Sequence, residues 1–268
     1  MLEDDHYIPN ASNAHIDTSA FELKVRQRLS GQACVAEIAL ESIYDLAFST
    51  TGIAPKEPDE HQLMCRYLSP AKFLRFLHTR LIDFPMAIQF TDSRECCVPH
   101  DYEVAVRRVL NDLGMSANNW SDLVRRKAAN WNVSCWTQLD DYFDDHLMWD
   151  SYAGGSQGIG ITARYGVLKC SLANSVKGLN VDGVLHSGSV NYETLSLLPF
   201  NKHYMFRNEK EVRFAFRGRQ IGVQSVSVCD IFDSFGIRIS PEAASEHRDA
   251  MRCLWLKYGG ADRVQWPQ

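Results

Sequence analysis

The chain has 268 residues, 45% of them hydrophobic and 23% charged, with a formal net charge of -5. That composition is ordinary for a globular protein, and the length allows one large domain or two small ones. The negative balance excludes a global positive field for nucleic acid or anionic lipid, and no stretch stays apolar long enough to span a bilayer.

The acidic start MLEDDHYIPN lacks the charged-then-apolar build of a secretory leader. Eight cysteines occur without a C-x-x-C or a zinc-like Cys/His spacing. Reduced, mostly buried thiols in a cytoplasmic protein without a metal site are the expectation.

In chain order, residues 1–17 are polar and irregular. Apolar residues from Phe21 to Leu46 recur at near-helical intervals, and Ser30-Gly31 divides them into two helices. Gly52, Pro55 and Pro58 mark a linker loop. HQLMCRYLS reads as a strand, and Ser69-Pro70 as the cap and first-turn proline of the helix PAKFLRFLHTR. LIDFPMAIQF is extended, and Pro85 makes it an edge or irregular strand. Amphipathic helices follow at Tyr102 to Leu113 and Ser121 to Ala129, then the β-rich strand WNVSCWTQ.

HLMWDSYA is a short helix stopped by Gly154-Gly155. GIGITAR, LHSGSVNYE and EVRFAFR read as strands, with the helix YGVLKCSLA after the first of them. VQSVSVCDIF runs to a sheet edge, and Pro241 to Leu256 is a helix. The expected fold is α+β, a central mixed, mostly antiparallel sheet flanked by helices, with an N-terminal helical pair. Residues 1–60 form a tail and helical extension, and residues 61–268 an α+β catalytic-like domain.

Several residues invite a functional reading beside a structural one. Arg107, Arg108, Arg125, Arg126 and Lys127, set against Asp140, Asp141, Asp144 and Asp145, read as solvated helix faces. The run AGGSQGIG lacks the Gly-Lys-Ser/Thr ending of a phosphate loop and follows a helix rather than a strand, so its glycines stop a helix and turn the chain. Trp136, Trp149 and Tyr152, with Tyr142 and Phe143, suit a core layer or a stacking surface in a cleft. Ser134 sits where its strand wants an apolar side chain, and a buried hydroxyl bonded to a carbonyl would explain it.

In NEKEVRFAF, strand alternation puts Glu209, Glu211 and Arg213 on one face. Arg213 either neutralises the carboxylates as an ion pair, or one carboxylate is held ready for a cationic intermediate or a ribose hydroxyl. Arg66, beside Tyr67 in the first strand, needs an anion, either a carboxylate of the chain or a ligand phosphate. Lys202 and His203 share that ambiguity.

The segments SCWTQ, MWDSYAGGSQGIGIT, VNYE and FNKHYMFRNEKEVR, in that order, resemble an uncharacterised bacterial family, the domain of unknown function numbered 2971. Met148, Trp149, Tyr152, Gly158, Val190, Tyr192, Lys202, Glu209, Glu211 and Arg213 match its pattern, and ISPEAASEHRDAMRCLWLKYG looks like its closing helix. The resemblance runs from about Leu63 to the end and leaves out the N-terminal helical pair; it carries no reaction.

The order of Arg66, Ser134 and a late Glu-x-Glu is similar to the Arg–Ser–Glu layout of ADP-ribosyltransferases. That analogy implies NAD as substrate. Arg66, flanked by Tyr67, would clamp the pyrophosphate; Ser134 would fix the nicotinamide ribose; Trp149 or Tyr152 would stack on the nicotinamide. Lys202 and Arg213 would complete the cofactor site. Glu211 would stabilise an oxocarbenium-like transition state, and Glu209 would orient or activate the acceptor. The usual Ser-Thr-Ser is Ser134-Cys135-Trp136 here.

The implied protein is a toxin or phage-defence effector acting on a protein or nucleic acid, with an antitoxin or chaperone as a further partner and no membrane. The alternatives are a non-catalytic ligand-sensing or partner-binding defence module, and a metal-dependent nuclease using the four aspartates on a helix.

Overall fold

The computed structural model describes residues 18–29, 36–45, 54–90, 96, 98–140, 145–179, 184–191, 197–202, 204–218, 222–261 and 264–265. The polar tail, Asp141, Tyr142, Phe143, Asp144, Tyr192, His203 and Trp266 lie outside the described residues.

The chain opens with α1 (Ser19–Leu29), α2 (Ala36–Asp45), β1 (Leu63–Leu68), α3 (Pro70–Thr79) and β2 (Leu81–Phe84). Then come α4 (His100–Asp112), α5 (Ala117–Ala128), β3 (Trp131–Gln138), α6 (His146–Met148), a π-helical turn Trp149–Ala153, β4 (Ile159–Arg164) and α7 (Tyr165–Lys177). The described chain closes with β5 (His186–Ser189), β6 (Glu211–Arg217), β7 (Gln224–Ser227), β8 (Gly236–Ile239), α8 (Ser245–Lys257) and β9 (Val264–Gln265). The main sheet has the order β5-β6-β3-β1-β4-β8-β9, and β2 with β7 forms a separate ribbon. Every pairing between these strands is antiparallel except β8 with β9. The α+β architecture and the N-terminal helical pair are as the sequence predicts.

Strand alternation sorts the sheet's side chains into two cores. Met64, Trp136, Ile161, Val212, Phe214 and Phe216 pack on one side with α3, α7, α8 and the ribbon. Val133 and Ala215 face the other side, where α1, α2, α4 and α5 bury Val25, Ile43, Val109 and Trp120. Ion pairs rim that second helical layer, Arg108 to Glu22 at 2.6 Å and Lys127 to Glu41 at 2.6 Å. Such exposed pairs contribute little, so the apolar contacts hold α1 and α2 in place.

Several boundaries differ from the sequence reading. α5 starts at Ala117, because the Ser116 hydroxyl accepts the Asn118 N–H. Ser69 has cap geometry but its hydroxyl makes no capping bond, so Pro70 supplies the start signal of α3. Pro85 ends β2, and its carbonyl accepts the Val133 N–H at 2.9 Å. β7 occupies only four residues of VQSVSVCDIF and pairs with β2 rather than the main sheet. β8 was not expected; it is four residues long with Arg238 in the middle, too short for a period to register. Thiols are less buried than expected. Cys65 and Cys96 are buried, but Cys170, Cys229 and Cys253 are exposed. No helix among the described residues is long and apolar enough to cross a membrane.

Candidate functional site

β1 pairs along its whole length with β4, and β3 pairs over seven residues with β6. Between β1 and β3 only two pairs form, Met64 with Gln138 and Cys65 with Thr137. Beyond them the centre of the sheet is split, and a cleft of about 600 Å³ opens there. Arg66, Tyr67, Cys135 and Thr137 line it from the strands, Lys72 and Arg75 from α3, and Tyr152, Lys202, Glu209 and Glu211 from the far side.

The far side is a hydrogen-bonded chain of charges. Lys202 is buried, and its Nζ donates to Glu209 Oε2 and to Glu211 Oε2, each at 2.7 Å. Arg213, fully buried, donates from Nε to Glu211 Oε1 at 2.6 Å and from Nη1 to the Pro199 carbonyl at 2.8 Å. Tyr152 donates its hydroxyl to Glu209 Oε1 at 2.9 Å. Glu211 and Arg213 share a face of β6, as alternation requires. Glu209 does not lie on that strand. It ends a 3₁₀ turn (Tyr204–Glu209), and Lys210, with φ 44°, bends the chain back so that both carboxylates reach one ammonium.

The two carboxylates are driven apart electrically. Burial works to raise Glu211, but the adjacent Arg213 and Lys202 charges outweigh it and hold the carboxyl down at about 2. Burial dominates at Glu209 and raises its pKa despite Lys202. One group therefore stays ionised, while the other is the easier proton acceptor, the pattern of a site that assigns different roles to neighbouring carboxylates.

On the near side, Arg66 is half-buried. Its Nη1 donates to Ser134 Oγ at 2.7 Å and its Nη2 to the Asp83 carbonyl at 2.9 Å. Among the described residues no carboxylate lies within 4 Å of its guanidinium, and burial lowers its pKa. Ser134 is fully buried and also accepts the Trp136 indole N–H at 3.1 Å. Its neighbour in function is therefore Arg66, and it does not line the cleft.

The aromatic turn is held from behind. Asp145 accepts the Tyr67 hydroxyl at 2.7 Å and an N–H of Arg238, and its backbone carbonyl accepts the Met148 and Trp149 N–H groups. Trp149 is 2% exposed and meets Tyr67 edge-on, with ring centroids 4.9 Å apart. A Cβ on Gly158 would lie 2.4 Å from that of Ala153, and one on Gly160 would lie 2.7 Å from Cys65 Sγ. These glycines make room for the turn, while Gly154 and Gly155 take the left-handed conformation that ends it.

The expected site residues thus divide. Arg66, Tyr67, Tyr152, Lys202, Glu209 and Glu211 meet at one cleft. Ser134, Trp149 and Arg213 sit behind it as supports. Of the four aspartates, the two described ones stand outside helices. Asp140 follows β3 and takes Lys210, and Asp145 precedes α6. Among the described residues no three side chains converge as metal ligands. Lys72, Arg75 and Asp83 escape a reading of the sequence alone, because only the folding of α3 and β2 around the split brings them to it. No protein-family model matches the chain, and no curated protein matches it in sequence.

Proposed function

We propose that this chain is an NAD-consuming, ADP-ribosyltransferase-like enzyme, an effector that modifies a protein or nucleic acid. The observation that carries the reading is the split between β1 and β3. It is lined on one side by a guanidinium with no carboxylate partner among the described residues, and on the other by a carboxylate pair of unequal basicity.

In this reading the NAD pyrophosphate faces Arg66, a fork suited to phosphate oxygens. The nicotinamide ribose faces Glu211. As the bond from ribose C1′ to nicotinamide nitrogen breaks, nicotinamide leaves with the electron pair and positive charge grows on the ribose. Glu211, ionised at any working pH, stabilises that charge. An acceptor nucleophile then bonds to C1′ and gives its proton to Glu209, whose raised pKa fits it to receive one. Tyr152, 45% exposed at the mouth, presents a ring face to the leaving group while its hydroxyl steadies Glu209.

One observation favours a binding module without turnover. Both Glu211 oxygens already accept from Arg213 or Lys202, so this carboxylate is fully hydrogen-bonded before any ligand arrives. The two readings part on incubation with NAD, with nicotinamide and the mass of candidate targets measured. Transfer predicts nicotinamide release, and about a hundredfold loss in Glu211→Asp, which keeps the charge but withdraws it by one methylene. A rise in melting temperature with NAD and no nicotinamide would refute transfer and leave binding.

A further inference from the structure

Lys72 and Arg75 lie three residues apart on α3, with Phe76 next, so the three side chains leave the helix on one side. Phe76 is buried and fixes that side against the core, while Lys72 and Arg75 are exposed and line the cleft. Arg75 is tied to the Asp83 carboxylate, which also accepts the Ser225 hydroxyl at 2.7 Å. Lys72 has no hydrogen bond or ion pair among the described residues. Arg66 reaches this flank from β1 and spends only part of its donor fork on Ser134 and the Asp83 carbonyl.

Among the described residues the flank therefore carries three cations against one carboxylate. At the opposite end the described residues set Lys202 and Arg213 against Glu209 and Glu211. A ligand fitted to that polarity is dianionic at one end and neutral and hydroxyl-bearing at the other.

We propose that the α3 flank is a dianion subsite in which Lys72 and Arg66 together grip the pyrophosphate bridge of a nucleotide. The subsite deepens the NAD reading and rests on it for the identity of the nucleotide. Two adjoining phosphates give both the fork of Arg66 and the ammonium of Lys72 an oxygen partner. Arg75, held back by Asp83, adds to the field at longer range.

The test is calorimetric titration of the whole chain with inorganic pyrophosphate, orthophosphate and NAD. Pyrophosphate is expected to bind about tenfold more tightly than orthophosphate, and Lys72→Ala to weaken pyrophosphate about tenfold, the worth of one charge-assisted contact. Lys72 is exposed on a helix, so its replacement leaves the fold intact, and Lys169→Ala outside the cleft leaves binding unchanged. Equal affinity of Lys72→Ala and the natural chain for pyrophosphate would overturn the subsite. Lys72-dependent pyrophosphate binding without nicotinamide release would uphold the subsite and refute the transferase. Nicotinamide release with pyrophosphate binding indifferent to Lys72 would do the reverse.

Discussion

Replacing Glu211 by Gln removes a charge while keeping the shape, and is the nearest equivalent of protonating that carboxyl. In the folded chain the carboxyl titrates at about 2, against an ordinary 4.5. At roughly 1.4 kcal/mol per pH unit, this difference is worth about 3 kcal/mol of stability. A carboxyl held below its unfolded value contributes fully above that value and loses its contribution as pH falls toward the folded one.

Glu211→Gln is therefore expected to be less stable than the natural chain by about 3 kcal/mol at neutral pH. The gap should narrow to about 2 kcal/mol near pH 3.5 and close further below it. Urea unfolding followed by tryptophan fluorescence at the two pH values measures it, since comparing the two proteins cancels most other titrating groups. A gap that stays constant between these pH values would show that Arg213 and Lys202 do not depress the carboxyl. So large a cost also means that loss of turnover in Glu211→Gln needs a folding control, which Glu211→Asp provides.

Trp149→Ala should cost about 3–5 kcal/mol, because the ring is buried against Tyr67, Gly158 and Gly160 and nothing nearby can fill its volume. A loss below about 1 kcal/mol in urea unfolding would place the ring outside the core. Tyr152→Phe should leave stability within about 1 kcal/mol, since the bond lost is at a half-exposed site. It should raise the Glu209 pKa further, because the tyrosine hydroxyl is one of the groups that lower it. Carbon-detected NMR titration of the Glu209 carboxyl reads the direction, and a fall contradicts the assignment.

Much of the fold was legible because its signals are local. Pro70 opens α3, Gly154-Gly155 closes the aromatic turn, and the alternation of EVRFAFR identifies β6 and pairs Glu211 with Arg213. β8 was missed because four residues with a central arginine carry no readable period. The site was legible only in part. Alternation put Glu209 on the face of Glu211, and the carboxylates do converge, but through the left-handed bend at Lys210 that a lysine does not advertise. Arg66 and Ser134 both stand out in the sequence as polar residues in strands. Their bond to each other depends on strand order, which no pairing signal in one sequence supplies. The cleft itself arises from the number of rungs between β1 and β3, a tertiary quantity.

That shortage of rungs has a mechanical consequence. The half of the sheet built on β3 and β6 and the half built on β1 and β4 meet at one end like the covers of a half-open book. Farther along the gap, the contact of Arg66 with Ser134 serves as a clasp. A guest that engaged the guanidinium would therefore be held by the same side chain that joins the two halves.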